Sequence, residues 1–534
     1  MRSKVLLVAL AIVLTGSLAL AGCGKSGGGG GTAGTTKDQV VVGISSEPTS
    51  LDEHQITDYN SDRVASEIYN TLVRFKDEGM EVEPDLATAW KISDDGLTYT
   101  FTLRDGVKFQ DGTDFNADAV VWNYKRMTDP KAEGYDTATG GYGYAETLFG
   151  EVKDCKASDA KTVVFTLKEP FAPFLSTMAM TQFSIVSPTA VMKYGKDYTS
   201  NPVGTGAFKF KSWTKGTEVV LEANPDYFRG APKIKTLIYR FITDSNVRQN
   251  DFESGSLNVM VDIIPDNLKA LKDNSAFNVV ESESLHTWYL SLNCATKPFN
   301  DKRVRQAFMY GINRKEIVDG ILQGTSTLAE NFLPPVTPYY TTDVHKYPYD
   351  PDKAKQLLAE AGQSNLTVDF YVPESGSGMQ QADAMATAIQ SDMKKVGVTL
   401  NIKKLEWGAY LDKMFRAPEG QDMLMGEMSW ISDNGDPDNF LRILAGGDQW
   451  PAAGFNSAYY KNPDFDAAVK QGMTSNDDAV RKEAYTKAQK IFMEDVPYTV
   501  VDHEKQIVAM DKNLKDVKIN PRGFFRFQYA SWTK

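Results

Sequence analysis

Apolar positions recur at two different spacings along the chain and together predict a mixed α/β fold. The run at 39–45 is short and rich in β-branched residues, as in a buried strand. Residues 97–103 alternate between apolar side chains and threonine after an Asp-Gly pair, which predicts a β-hairpin. Between predicted strands at 366–372 and 399–405, the segment 382–396 has helical spacing. This order of strand, helix and strand favours parallel pairing.

Helical spacing also predicts the structure of other segments. Apolar residues recur every four positions between Asp62 and Val73, which predicts one helix over that range. Residues 83–90 predict a turn followed by a short helix. A helix with charged outer positions is expected at 477–495, followed by a strand at 497–501.

The first 22 residues predict an export signal rather than a part of the fold. Arg2 and Lys4 precede an apolar run at 5–20 that is too short for a membrane span. Leu20–Cys23, Leu-Ala-Gly-Cys, then resembles the lipobox of bacterial lipoproteins, which implies that Cys23 is lipidated. The alternative is an ordinary signal peptide with a cysteine nearby by chance. Residues 23–37 continue as a flexible, glycine-rich linker.

Charge and motif content exclude several classes of function. The formal net charge is −12 and no basic stripe is present, so nucleic acid is not an expected partner. The four histidines show no metal-ligand spacing, and the chain has no Gly-x-Ser-x-Gly or other nucleophile motif. We therefore expect no enzyme activity, no cofactor and no metal centre. Cys155 and Cys294 can be paired or free in an exported protein.

The segment Ser429–Phe440 gathers acidic and aromatic side chains at one place. It contains Trp430, Asp433, Asp436 and Asp438 in a run broken by a glycine and a proline. A carboxylate beside an aromatic wall suits a ligand with a positive amine and an apolar part. A solvated acidic turn fits the same residues equally well. Calcium is disfavoured, because the proline interrupts the loop and no closing glutamate follows at the right distance.

A longer pattern resembles a known family. Pro84–Ala87, Trp90, Gly96–Gly112 and Ala117–Val120 together resemble the signature of the peptide/nickel-type extracellular solute-binding proteins, family 5. These are the receptor subunits of ABC importers. The resemblance continues in Asn201–Phe208, Asn224–Gly230 and Lys297–Phe308. It implies an α/β fold of the periplasmic-binding-protein-like type II, with two lobes of mixed sheets, a ligand cleft between them and an extra inserted domain.

The family also implies a discontinuous domain organisation behind the signal peptide, 1–22, and the lipidated linker, 23–37. The implied boundaries are 38–82, 200–288 and 501–534 for domain I, 83–199 for the inserted domain II, and 289–500 for domain III. The lobes are expected to close on a ligand by a hinge motion.

The implied function is the capture of di- or oligopeptides outside the cytoplasmic membrane and their delivery to a permease with its ATPase subunits. The receptor is expected to be a monomer that only its lipid anchor holds to the outer face of the bacterial membrane. Two alternatives stay open. One is a surface sensor or signal-peptide receptor of the same fold, and the other is a receptor for a non-peptide solute such as a nickel chelate.

The resemblance gives the acidic turn a role. Peptide-binding members carry Trp-x-x-Asp at this place, which implies that Asp433 pairs with the α-ammonium of the ligand and that Trp430 forms a wall. The other candidates for ligand contact are Asn434, Ser46, Glu47, Trp288, Tyr289 and Trp407. The dipeptide-binding branch also holds the ligand carboxylate with an arginine shortly before the helix at 382, but residues 372–379 contain none. The length of the ligand therefore stays open.

Overall fold

The computed structural model describes residues 38–136, 142, 144–145, 149–374, 380–451 and 454–533. The predicted signal peptide, Cys23 and the linker to residue 37 lie outside the described residues, as do residues 375–379. The described chain forms three large sheets with helices packed around them, called here the first, second and third sheet.

The first sheet has seven strands and joins three distant parts of the chain. Gln39–Ile44 lies at its centre and runs parallel to both neighbouring strands. This strand is buried almost throughout, as is typical of a parallel strand covered on both faces. In spatial order the strands are Phe277–Ser282, Gln506–Asp511, Val259–Met260, Gln39–Ile44, Thr236–Phe241, Glu218–Ala223 and Phe208–Thr214.

The second sheet has six strands. Leu366–Pro373 and Val398–Leu405 pair in parallel, with the helix Ala382–Lys395 between them in the chain. This confirms the predicted strand–helix–strand unit. In spatial order the strands are Ser326–Leu328, Tyr498–Glu504, His286–Leu292, Met425–Ile431, Leu366–Pro373 and Val398–Leu405.

The third sheet is antiparallel and lies within the predicted insertion. Its first two strands form the predicted hairpin, and Gly96 takes a φ of 70° in the turn between them. Cys155 in this sheet and Cys294 after the strand His286–Leu292 are both free thiols. In spatial order the strands are Ala87–Ile92, Thr98–Leu103, Thr162–Leu167 and Val152–Asp159.

Two of the predicted helices are wrong. The helix expected from residue 62 to 73 is Tyr59–Ala65, and the chain continues into the strand Val73–Phe75. The apolar residues beyond Ala65 are fully buried, so their spacing reflects burial of an irregular segment rather than a helix. Residues 83–90 contribute to the strands Val82–Pro84 and Ala87–Ile92, because sheet pairing outweighs the local helical preference.

Helices cover the sheets. The helix Asp478–Asp495 and the strand Tyr498–Glu504 follow the predictions at 477–495 and 497–501. Among the described residues, none of the helices combines the length and the apolar character that a bilayer crossing requires. The other α-helices are Ala117–Thr128, Phe174–Met178, Pro188–Tyr194, Ser245–Glu253, Pro265–Asp273, Lys302–Gly311, Arg314–Glu316, Pro351–Glu360, Trp407–Met414, Pro437–Ala445 and Pro463–Thr474. Short strand pairs join Val73–Phe75 to Val82–Pro84, Leu514–Lys515 to Ser531–Trp532, and Lys518–Ile519 to Phe525–Arg526.

The chain passes between the first and second sheets at two adjacent places. One crossing is residues 283–285 and the other is Lys505. They are tied together, since Ser284 Oγ donates a hydrogen bond to the carbonyl oxygen of Glu504. The boundaries expected at 288 and 501 fall inside strands of the second sheet, a few residues from these crossings.

Candidate functional site

The acidic turn lies between the strand Met425–Ile431 of the second sheet and the helix Pro437–Ala445. Asp436 caps this helix by accepting from the backbone N–H of Asp438 at 3.0 Å. Asp438 in turn holds Arg442 through two bonds of 2.8 and 2.9 Å. Two of the three acids in the turn therefore stabilise the helix start.

Asp433 faces other segments of the chain. Its Oδ1 lies 3.4 Å from Arg522 Nη2, and the Tyr144 hydroxyl donates to the same carboxylate. The Asp433 side chain is only 15% exposed. Burial raises the pKa of Asp433 to about 6, with Asp62 adding to the effect and Arg522 opposing it. A further positive charge beside this buried carboxyl group would stabilise its ionised form.

Asp62 shares the same arginine. Arg522 Nη2 lies 3.4 Å from an oxygen of Asp62 as well as from Asp433. Asp62 Oδ2 also accepts from Gln182 at 3.2 Å, whereas its Oδ1 is buried without a hydrogen-bond partner. Next to it, burial and the charge of Asp62 raise the pKa of Glu53 well above its ordinary value. Two carboxylates thus face one guanidinium.

Trp430 offers an aromatic surface on the same turn. Its Nε1 donates to Asn439 Oδ1 at 2.9 Å, which fixes the orientation of the indole. The ring centroid lies 5.6 Å from that of Phe455, a side chain that is 44% exposed. Phe455 is an additional apolar candidate that sequence reasoning did not single out.

Asn434 ties the turn to the segment that carries the third sheet. Its Nδ2 donates to Thr177 Oγ1 at 3.2 Å. The next residue, Gly435, has a φ of 68°, and a Cβ there would come within 2.6 Å of the Met80 side chain. The turn is therefore packed tightly against its surroundings, with Asn434 in a structural contact.

Ser46 and Glu47 follow the central strand of the first sheet. Ser46 Oγ accepts from Asn60 at 2.6 Å, on the helix that also carries Asp62. Glu47 accepts from Trp213 Nε1 at 2.9 Å and from the Gly216 N–H at 3.0 Å. Glu47 therefore anchors a hairpin of the first sheet, whereas Ser46 lies near the acidic cluster.

Three aromatic candidates are core residues or lie at the edge of a core. Trp288 is 0% exposed and Tyr289 is 1% exposed, and they pack into different clusters of the second sheet. Trp407 begins the helix Trp407–Met414 and stacks on Tyr410, with ring centroids 6.0 Å apart. Packing accounts for Tyr289 and Trp407, and no contact joins either to Asp433. Trp288 Nε1 is buried without a hydrogen-bond partner.

Sequence reasoning missed Arg522, Asp62 and Tyr144. They come from three separate segments, and no spacing along the chain relates them to Asp433. Arg522 lies in a Pro-Arg-Gly turn that carries no signature of a site. Only the folded chain brings these side chains to the acidic turn.

The cluster has the chemistry of a cation-binding site. Over the described ranges, no group of three or more His, Cys, Asp or Glu side chains is arranged to hold a metal ion. The nearby His54 is neutral, because burial and Arg126 lower its pKa to about 4. What the cluster provides is an excess of negative charge in a buried place, which favours a cationic group that enters it.

Comparisons with known proteins agree with this picture. The model of the "Bacterial extracellular solute-binding proteins, family 5 Middle" matches residues 81–452. The chain is 34% identical over 498 residues to Di/tripeptide-binding protein 2 of Pseudomonas aeruginosa, covering 90% of this chain and 92% of that protein. It is 34% identical over 490 residues to Heme-binding protein A of Haemophilus influenzae, covering 89% and 88%.

A solved structure extends the likeness to the whole fold. The periplasmic binding protein DppA from Helicobacter pylori, in complex with the peptide STSA, matches with a TM-score of 0.81 at 30% identity. The match covers 93% of this chain and 98% of that one. The fold class predicted from the sequence, that of type II periplasmic binding proteins, is confirmed. The chain belongs to the bacterial extracellular solute-binding proteins of family 5.

Proposed function

We propose that this protein is the substrate-binding receptor of an ABC importer and that it captures peptides outside the cytoplasmic membrane. Relatives named for di- and tripeptides, and a neighbour in complex with a peptide, support a peptide ligand. In this proposal Asp433 binds the α-ammonium of the peptide, and Trp430 with Phe455 lines the space beside it.

The charge balance around Asp433 carries the proposal. Among the described side chains that contact Asp433 or Asp62, Arg522 is the one cation, so two carboxylates share one positive charge. A peptide ammonium supplies the missing charge and replaces the hydrogen bonds that it loses on leaving water. Protein backbone groups then pair with the peptide backbone, which gives affinity without a choice of side chains.

Calorimetry with di- to octapeptides tests the proposal, together with native mass spectrometry of the protein as purified. We expect Asp433→Asn to weaken binding of a free peptide by about 30-fold or more, since losing one partner of a buried charged pair costs about 2–5 kcal/mol. N-acetylation of the peptide removes the ammonium and should weaken binding to the unmodified protein by a similar factor.

Asp343→Asn is the matched control, because Asp343 is 81% exposed and pairs with Lys490 at the surface. This variant should bind peptides like the unmodified protein. If no peptide binds or co-purifies, or if haem binds instead of any peptide, the peptide proposal is overturned. If peptides bind and Asp433→Asn has no effect, Asp433 is not the charge partner.

The proposal includes attachment to the membrane through a lipid on Cys23, with the folded chain as a monomer on the outer face. The Leu-Ala-Gly-Cys motif supports it. Metabolic labelling with a fatty acid should modify the natural chain, whereas Cys23→Ser should prevent labelling and release the protein from membranes. An unlabelled natural chain would remove the anchor from the proposal.

Closure of the two lobes is proposed to occur at the paired crossings, residues 283–285 and Lys505. These crossings are short and lie side by side, which favours rotation about them. The domain boundaries implied by the family remain part of this proposal. Solution scattering with and without a bound peptide measures the closure as a smaller radius of gyration in the complex.

A further inference from the structure

A second group of buried polar atoms lies on the second sheet, where its strands approach the first sheet. Asp502 is 0% exposed, and its carboxylate oxygens have no hydrogen bond of ordinary length, although the Ser326 hydroxyl lies close enough to lower its pKa. Its cross-strand neighbour is Trp288, so the two side chains share one face of the sheet. Trp288 is also 0% exposed, and its Nε1 is unpartnered.

The neighbouring residues on the same face continue this group. His286 and Glu504 are each two residues from Trp288 and Asp502, and alternate residues of a strand share a face. His286 Nδ1 lies 3.0 Å from Glu504 Oε2, while His286 Nε2 is buried without a partner. The backbone N–H of Gln380 faces Glu504 Oε1 at 3.4 Å, and its side-chain Oε1 is unpartnered as well.

So many unpartnered atoms in one place require an explanation. The great majority of buried polar atoms in folded proteins are paired, and each one left unpaired costs about 1–3 kcal/mol. Asp52 shows the paired alternative, since both of its oxygens bond to Arg126, whereas Glu53 and Glu427 also have unpartnered oxygens. Around Asp502, atoms of several residues are unpartnered together. The atoms around Asp502 are therefore arranged for a polar group that the chain itself does not provide.

The types of these atoms define the missing group. His286 Nδ1 faces a carboxylate and therefore carries a hydrogen. The unpartnered atoms near it include the oxygens Asp502 Oδ1 and Oδ2 and Gln380 Oε1, together with the donor Trp288 Nε1 and the hydroxyl of Ser326. A group that is rich in donors and positively charged fits this set, as an ammonium or a guanidinium does.

The electrostatics around Asp502 also favour a positively charged ligand group. Burial raises the pKa of Asp502 well above its ordinary value, and Glu504 nearby raises it further. An entering cation opposes this rise in the pKa of Asp502 and pairs with its carboxylate form. A carboxylate in the ligand would instead be repelled here.

The distance between Asp433 and Asp502 determines whether one peptide can contact both. His286 is the cross-strand partner of Ile431, and Asp433 follows Ile431 by two residues. Asp502 lies opposite Trp288, so it is two strand spacings (about 10 Å) and four extended residues (about 13 Å) from Asp433, which puts the two acids roughly 15 Å apart. The α-ammonium of a short peptide and the side-chain ammonium of a lysine at its third or fourth position can span such a distance.

We propose that Asp502, with His286, Gln380 and Trp288 around it, forms a second subsite that binds the ammonium or guanidinium of a basic side chain in the peptide. The inference rests on the proposed function and adds a substrate class to it, namely peptides that contain lysine or arginine.

Calorimetry at pH 7 with two matched pairs of peptides tests the subsite. The pairs are Ala-Ala-Lys with Ala-Ala-norleucine, and Ala-Ala-Ala-Lys with Ala-Ala-Ala-norleucine, in which each partner has the same chain length but lacks the charge. In the unmodified protein we expect the lysine member of at least one pair to bind about tenfold or more tightly than its norleucine partner. In Asp502→Asn this ratio should fall to about threefold or less, and Asp343→Asn should keep the ratio of the unmodified protein.

The outcomes separate this inference from the proposed function. If peptides bind and lysine gives no advantage in the unmodified protein, the subsite is overturned, and water alone occupies the space around Asp502. This measurement needs no variant, so it holds even if Asp502→Asn fails to fold.

If the lysine preference exists and survives unchanged in a folded Asp502→Asn, the preference has another source. If none of the four peptides binds while longer peptides without basic residues do, the subsite fails and the proposed function stands. If no peptide of any kind binds, both fail.

Discussion

Asp52 and Asp502 are buried to the same degree, yet their surroundings differ. Asp52 is 1% exposed and accepts bonds of 3.0 and 2.5 Å from the two terminal nitrogens of Arg126. His54 completes this cluster, with one ring nitrogen 3.0 Å from the carbonyl oxygen of Ser184 and the other 2.9 Å from Arg126. Asp502 is 0% exposed, and its oxygens have no hydrogen bond of ordinary length, with only the Ser326 hydroxyl lowering its pKa.

The difference distinguishes charge that holds the fold from polar groups that are available to a ligand. Burial acts to raise the pKa of Asp52, but Arg126 outweighs it, so the pKa is lowered and the carboxylate is ionised. The pKa of Asp502 is raised well above its ordinary value, since burial acts there without a cation to oppose it. A complete cluster stabilises the folded chain, whereas an incomplete one gains its partners only when a ligand binds.

The largest effect is expected from breaking the complete cluster. Arg126→Met leaves Asp52 buried without a counter-ion, and we expect the free energy of unfolding to fall by about 3–5 kcal/mol. Urea unfolding measures this loss. Lys315→Met removes a cation from an exposed pair with Asp319 and should cost less than about 1 kcal/mol. Equal losses in the two variants would contradict the comparison.

An unpaired carboxyl should behave in the opposite way. Glu427 is 0% exposed with both oxygens unpartnered, and burial raises its pKa well above the ordinary value. The folded chain therefore keeps a proton that the unfolded chain loses above about pH 4.5, so stability falls as the pH rises through this window. Glu427→Gln removes the titration and should gain up to about 2–3 kcal/mol over the natural chain between pH 5 and pH 7.

Urea unfolding at both pH values measures that gain. Glu419→Gln is a control at an exposed glutamate, and it should leave the pH dependence of stability unchanged. A constant difference between Glu427→Gln and the natural chain would mean that Glu427 is ionised in the folded state.

Asp433 is partly paired, in contrast to the fully paired Asp52 and the unpaired Glu427. Protonation of Asp433 should therefore change the affinity for the ligand. Pairing with a peptide ammonium requires the ionised carboxylate, and the pKa of Asp433 is about 6. Its ionised fraction, and with it the association constant, should fall by about tenfold between pH 7 and pH 5. Calorimetry across this range should show the change in the natural chain and not in Asp433→Asn. An affinity that is flat over the range in the natural chain would argue against Asp433 as the charge partner.

The smallest effect on ligand affinity should come from the acid that follows the helix cap. Asp438 is 2% exposed and pairs one helical turn later with Arg442, whose side chain is 25% exposed. Asp438→Asn should cost about 1–3 kcal/mol of stability, because it weakens a partly buried charged pair. Peptide affinity should stay as in the natural chain. A large loss of affinity would move Asp438 into the binding site.

Much of the fold follows from local patterns. The hairpin predicted around Asp95-Gly96 and the strand–helix–strand unit from Leu366 to Leu405 have strong period-two and helical spacing, and both are present. The segment after Ala65 misled the prediction, because its apolar residues are buried by the rest of the chain without forming a helix. The strand at Ala87–Ile92 is set by pairing with its neighbour rather than by its own propensity.

The site was predictable only in part. The Trp-x-x-Asp of the acidic turn is contiguous and resembles a family motif, so Asp433 and Trp430 could be named from the sequence. Arg522, Asp62 and Tyr144 converge on it from distant segments, and nothing in their local sequence predicts this. The same holds for Asp502, whose isolation depends on which side chains fail to reach it.

The strand order of the first sheet has a consequence for how the protein is made. Gln506–Asp511 is an internal strand, placed between Phe277–Ser282 and Val259–Met260, although it is among the last segments to be synthesised. The first sheet therefore stays open, with unpaired edges at its centre, until residue 511 has left the ribosome. The amino-terminal part of such a nascent chain cannot complete the first sheet on its own. A chain that is cut before residue 506 should therefore be a target for chaperones and proteases.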